Sequence, residues 1–112
     1  MDRIHVSKDV WFDGIETWNA SFCGIYVNHL AMRVNREVYG LPELGNSDAH
    51  TLNAIGCGLT WFEGKTSQDV RHAIEHGLSA PGGKLWEVQE YVNWVRYRMS
   101  KQVRQAWRVG VA

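Results

Sequence analysis

Asp48 and His50 stand two residues apart in the stretch Gly45-Asn46-Ser47-Asp48-Ala49-His50. A carboxylate beside an imidazole offers mixed oxygen and nitrogen donors, which suit zinc, manganese or iron. In an extended segment residues i and i+2 point to one side, so this spacing predicts that both side chains converge on one point. The plainer alternative is a turn aspartate that caps the next segment, next to a solvated histidine. Asp-x-His alone is common by accident, so the elements that hold the pair decide between the two.

Those elements read as α/β. Gly14–Trp18 is rich in aromatic and β-branched residues and predicts a short strand, with Asn19-Ala20-Ser21 as its exit turn. From Gly24 to Tyr39 the period changes. Ile25, Val27, Leu30, Ala31, Val34 and Val38 return at three- and four-residue steps, the mark of one helical face. Gly40 supplies a left-handed stop with Pro42 beyond it, and Leu41–Asn46 reads as a second strand ending at the Asp48 motif. Gly58–Phe62 reads as a third strand or extended segment. Thr66-Ser67-Gln68-Asp69 has capping-box spacing and opens a helix to His76. Ser79–Gly83 reads as a linker, and Leu85 to about Arg108 as a long helix. Parallel strands joined by crossover helices place sites at the carboxyl ends of strands, where Asn19 and Asp48 fall. The expected organisation is residues 1–78, a linker at 79–84, and an amphipathic basic helix at 85–112.

Several motifs together resemble the PHP family, the polymerase and histidinol phosphatase domain of metal-dependent phosphoesterases. Gly45–His50 is similar to its last metal-binding motif. Asp13-Gly14-Ile15-Glu16-Thr17-Trp18-Asn19 is similar to its D-G-I-E-x-x-N strand. Asn28, Ala31 and Gly40-Leu41-Pro42 match the helix between them, and Ile55-Gly56 through Thr60-Trp61-Phe62 match a downstream I-G-x-x-x-T-x-F. Asp69, Ala73-Ile74 and Gly77 match its next helix. The resemblance implies part of a distorted (β/α)7 barrel, with about three short parallel strands here. It also implies a divalent metal (zinc, manganese or iron) held in part by Asp48 and His50. Metal-activated water would then hydrolyse the phosphoester of a small molecule or nucleotide. Glu16, Asn19 and Ser47 carry over as supporting or structural residues.

The family's opening H-x-H and its middle ligands are absent from this sequence. The resemblance therefore implies the carboxyl-terminal half of a PHP domain, incomplete alone and inactive alone. Its remaining ligands would come from a longer chain, a partner chain or another copy. The alternative is a non-catalytic interaction module derived from the same fold.

Other residues have plainer readings. His72-Ala73-Ile74-Glu75-His76 spells an inverted zinc-protease pattern, but Gly77 ends its helix at once, and Glu87 or Glu90 as third ligand lies very close in sequence. Cys23 and Cys57 read as small packing residues, and His29 as a surface histidine. Twelve basic and twelve acidic residues cancel in the 112-residue chain. Nucleic acid is therefore not expected as a partner. Residues 84–112 hold six bases against two acids, +4, which leaves −4 elsewhere. Their Trp and Tyr residues interleave with the bases, a face that could lie on phosphate or an anionic membrane, but their apolar stripe favours packing on the body or on another copy of the helix. Two cysteines without a paired motif, no apolar leader and no membrane-length run together predict a cytoplasmic protein.

Overall fold

A computed structural model of the chain describes residues 5–7 and 10–108, with side chains from Trp11 onward. His5 as a side chain, and residues 109–112 of the expected helical region, lie outside that description. The order is β1 (His5–Ser7), β2 (Val10–Trp11), β3 (Ile15–Asn19), α1 (Phe22–Val34), a π turn (Asn35–Tyr39) and β4 (Glu43–Asn46). A 3-10 turn (Leu52–Ala54), β5 (Gly58–Trp61), α2 (Ser67–Glu75), β6 (Ala80–Gly83) and α3 (Val88–Arg108) follow.

The chain is α/β, as expected, but the described residues do not close a barrel. Their ladders are three separate pairs: β1 with β2 antiparallel, β3 with β4 parallel, β5 with β6 antiparallel. Only β3–α1–β4 is the expected parallel crossover unit. The third strand, β5, meets β4 in another way. A Cβ built on Gly45 would lie 2.1 Å from the Leu59 carbonyl oxygen, and one on Gly58 2.0 Å from that of Asn46. Bare backbone thus lies on bare backbone. The Thr60 hydroxyl bridges them, accepting from Gly45 N and donating to Gly45 O, both at 2.9 Å. The expected linker also proves to be structured. Residues 80–83 form β6 because Pro81 and its glycines let this strand lie flat on β5, with Gly82 against the Trp61 indole.

Helix α1 corrects the periodicity reading. Its apolar residues Ile25, Val27 and Leu30, and Val38 in the π turn, are exposed, whereas Gly24, Asn28 and, at the start of that turn, Asn35 are buried. The reason is hydrogen bonding. The Asn28 carboxamide accepts from Asn19 N and donates to Asn19 O, both at 2.9 Å, at the end of β3. One face further on, Asn35 accepts from Leu41 N at 3.0 Å and donates to Leu41 O at 2.8 Å. Each carboxamide acts as a spare peptide group that satisfies strand backbone which no neighbouring strand reaches. Gly24 allows the close approach, since a Cβ there would lie 1.8 Å from the Asn19 oxygen. Gly40, at φ 62°, then ends the π turn in the left-handed conformation expected of it.

Helix α2 begins with the expected capping box. Thr66 Oγ1 accepts from Asp69 N at 3.2 Å, and Asp69 Oδ2 accepts from Thr66 N and Lys65 N at 2.8 Å each. These donors, the Lys65 amide first, hold the Asp69 carboxyl below its ordinary 3.8. A depressed carboxylate stabilises the fold above its unfolded pKa and loses that contribution as pH falls through the folded value. The thermal midpoint of the parent chain should therefore exceed that of Asp69→Ala at neutral pH. The gap should close in acid below the ordinary carboxylate range. A gap that stays constant down to acid pH would show that the cap does not depend on the charge.

The core is small: Ala20, Ala54, Cys57 and Trp86 form it, with Tyr91 packed alongside. Trp86 enters it from the connection between β6 and α3, its backbone N donating to Ala20 O at 2.8 Å. Every residue of α3 from Val95 to Arg108 is exposed. Among the described residues no helix is long and apolar enough to cross a membrane.

Candidate functional site

The Asp48 motif leaves the end of β4 as a turn and not as extended chain. Asn46 Oδ1 accepts from Asp48 N at 3.0 Å, and Asp48 adopts φ 49°, the left-handed region that aspartate tolerates through such local bonds. The extended-segment argument for convergence therefore does not describe this backbone. The side chains stay together for a different reason. His50 turns back so that Nδ1 lies 2.6 Å from the Asp48 carbonyl oxygen and 3.9 Å from its carboxylate Oδ1. A carbonyl can only accept, so in the neutral ring Nδ1 carries the proton and Nε2 presents the lone pair. Both side chains remain accessible, 43% for Asp48 and 46% for His50.

Of the expected supporting residues, Asn19 and Glu16 bond to each other, Asn19 Nδ2 donating to Glu16 Oε1 at 3.0 Å. Asn19 Oδ1 also accepts from Ser21 N at 2.8 Å, which starts the turn into α1. Ser47 contributes its carbonyl, which accepts from Trp86 Nε1 at 2.7 Å. That bond ties the motif's turn to the start of α3.

A second clamp went unseen in the sequence. Glu90 on α3 is buried, yet its carboxylate accepts from Thr51 Oγ1 at 2.5 Å and from Asn53 Nδ2 at 3.2 Å, just beyond His50. No sequence pattern announces a partnership across 37 to 39 residues. A glutamate four residues from a tryptophan on either side, Trp86 and Trp94, was the available signal.

Between the motif and α3 lies a cavity of about 220 Å³, lined by Phe22, Trp86, Tyr91 and Trp94 with Ser21, Cys23, Asp48 and His50. His50 meets Trp86 and Trp94 edge to face, at centroid distances of 5.7 and 5.4 Å. Tyr91 lies 5.3 Å from Phe22 and from Trp86. Burial, then the neighbouring Cys23 thiol and Asp48 carboxylate, push the Tyr91 phenol above its ordinary value.

Elsewhere among the described residues the histidines and cysteines form no comparable cluster. The His72 and His76 rings lie tilted together at 4.0 Å on the exposed end of α2, with His76 Nδ1 2.8 Å from the His72 carbonyl. Cys57 is buried and Cys23 exposed. No group of three or more His, Cys, Asp or Glu side chains among the described residues is arranged to hold a metal ion.

This geometry defines an α/β unit with a two-donor turn at a strand end. Residues 26–78 match the family model described as PHP-associated. The match runs from within α1 through α2 and so contains the Asp48 motif. No curated protein and no solved structure matches the chain.

Proposed function

We propose that the chain is the carboxyl-terminal portion of a PHP-type metal-dependent phosphoesterase, with Asp48 and His50 supplying two ligands to a divalent metal. One observation carries this reading: the Nδ1 side of His50 is fixed on the Asp48 carbonyl. Metal-binding histidines characteristically donate their second ring N–H to a carbonyl or carboxylate, which sets the tautomer and aims the other nitrogen at the ion. The family match over the same residues supports it.

The donors fit two positions of a coordination sphere and no more, whereas zinc takes four ligands and a hydrolytic cluster more still. When bound, the metal supplies an activated water and neutralises phosphate charge. This chain's part is to orient two donors. The substrate class on this reading is a phosphorylated small molecule or nucleotide, with the missing ligands brought by further chain or by a partner.

Zinc or manganese titration by calorimetry tests the reading. Asp48→Ala and His50→Ala should each weaken binding by more than about tenfold, and the unaltered chain should not turn over an aryl phosphate. Equal metal binding by parent and both variants would sink it.

A second reading, a non-catalytic interaction module, is supported by α3. Five bases and no acid occupy residues 96–108, and Val95, Met99, Val103 and Trp107 are exposed on the same stretch. Binding through that helix would weaken steeply with salt if the bases carry it and little if the apolar stripe does.

A further inference from the structure

We propose that the cavity walled by Phe22, Trp86, Tyr91 and Trp94 binds the methylated ammonium group of a small molecule. This goes beyond the phosphoesterase reading and does not depend on it. The walls are rings, and aromatic faces attract a cation through their quadrupoles. Asp48 is the one charged side chain in the lining apart from His50 when protonated, and no lysine or arginine contributes. With one carboxylate and no base among the lining residues, the composition favours a cation over an anion, while the exposed wall itself is almost wholly carbon.

Hydrogen-bonding capacity narrows the cation further. The Ser21 hydroxyl is buried with no partner, as is the Tyr91 hydroxyl, so both are withdrawn from the solvent-facing wall. A primary ammonium brings three N–H donors that need acceptors, and the wall presents mostly ring carbon. A methylated ammonium spreads its charge over methyl groups and needs none. Its fit also calls for rings already in place, since fixing side chains on binding costs affinity. They are in place. Trp86 is tied to Ser47 O and Ala20 O, and Tyr91 is wedged between Phe22 and Trp86.

The test is a titration of the full chain, with EDTA present, by choline and by its uncharged carbon isostere 3,3-dimethylbutan-1-ol, following the indole N–H signals by NMR. Choline should shift the Trp86 and Trp94 signals, with the isostere at least about tenfold weaker. Trp94→Leu and Asp48→Asn should each weaken choline severalfold, and Trp94→Phe, which keeps a ring and guards against a misfolded leucine variant, should retain most of it. Equal affinity for the two guests would make the cavity a merely apolar slot and overturn the proposal, as would no response to excess choline. Because EDTA removes metal, an Asp48→Asn effect here is not a lost metal ion. The metal titration described above succeeds or fails separately.

Discussion

Gly45→Ala should cost about 3 kcal/mol of folding stability, at the upper end of what overpacking ordinarily does. The new methyl group would meet the Leu59 carbonyl oxygen at 2.1 Å and the Gly82 nitrogen at 3.1 Å. Both are backbone atoms, so no side chain can swing aside, and β4 must move off β5 and β6. Moving it breaks the two Thr60 hydroxyl bonds to Gly45, which are the polar link between these strands. Gly58→Ala should behave alike, since its methyl would strike the Asn46 oxygen at 2.0 Å. Gly40→Ala is the comparison: nothing lies within 4 Å of a Cβ there, so only its φ of 62° opposes the change. That left-handed backbone costs a non-glycine about 1 kcal/mol. Urea unfolding of the three variants measures the ordering. Because Gly45 opens the motif that ends in Asp48 and His50, the same variant should also disturb the metal binding proposed for that pair. A Gly45→Ala midpoint equal to the parent's would mean the strands do not lie as close as described.

The sequence announced local structure well and tertiary partnership poorly. The capping box at Thr66 and Asp69, the glycine stop at Gly40 and the strand leading into Asp48 all appear where residue chemistry acts over three or four positions. The inward face of α1 did not, because hydrophobic periodicity assumes that burial follows apolarity. Here the buried positions are Gly24, Asn28 and Asn35, chosen for close approach and for pairing with strand backbone. The Pro81-Gly82-Gly83 strand was hidden by the same kind of assumption, since turn-forming residues also suit a strand that must lie against an indole and a neighbouring backbone. At the site, the pairing of Asp48 with His50 was legible as chemistry but not as geometry. The left-handed Asp48 and the ring turned back on its carbonyl depend on Asn46 and on Trp86, just before α3, and Trp94 within it, 36 and 44 residues beyond His50. The exposed apolar residues of α1 and α3 are surfaces that the described residues do not cover.

Asn35→Ala should be as severe as the glycine change or more so, at about 4 kcal/mol. The residue is 2% exposed, and its carboxamide satisfies both the N–H and the C=O of Leu41, itself 6% exposed. Truncation leaves two buried backbone groups unpaired, each at about 1–3 kcal/mol, and water has no ready route to either. Out of a typical total of about 5–15 kcal/mol, that loss would remove between about a quarter and most of the stability. Asn35→Asp separates hydrogen bonding from packing, because it keeps the shape and the acceptor for Leu41 N but turns the second oxygen on the Leu41 carbonyl. Burial and that carbonyl would raise the new carboxyl's pKa in the folded state. The variant should therefore be stabilised below the ordinary carboxylate range, where a protonated oxygen can donate to Leu41 O. That stability should disappear as pH rises through the raised value. Unfolding midpoints of Asn35→Ala and Asn35→Asp across this range decide the matter. If the aspartate variant fails to gain on the alanine variant in acid, then Asn35 acts by filling space, and the two-point clip between α1 and the start of β4 is not what holds the parallel unit together.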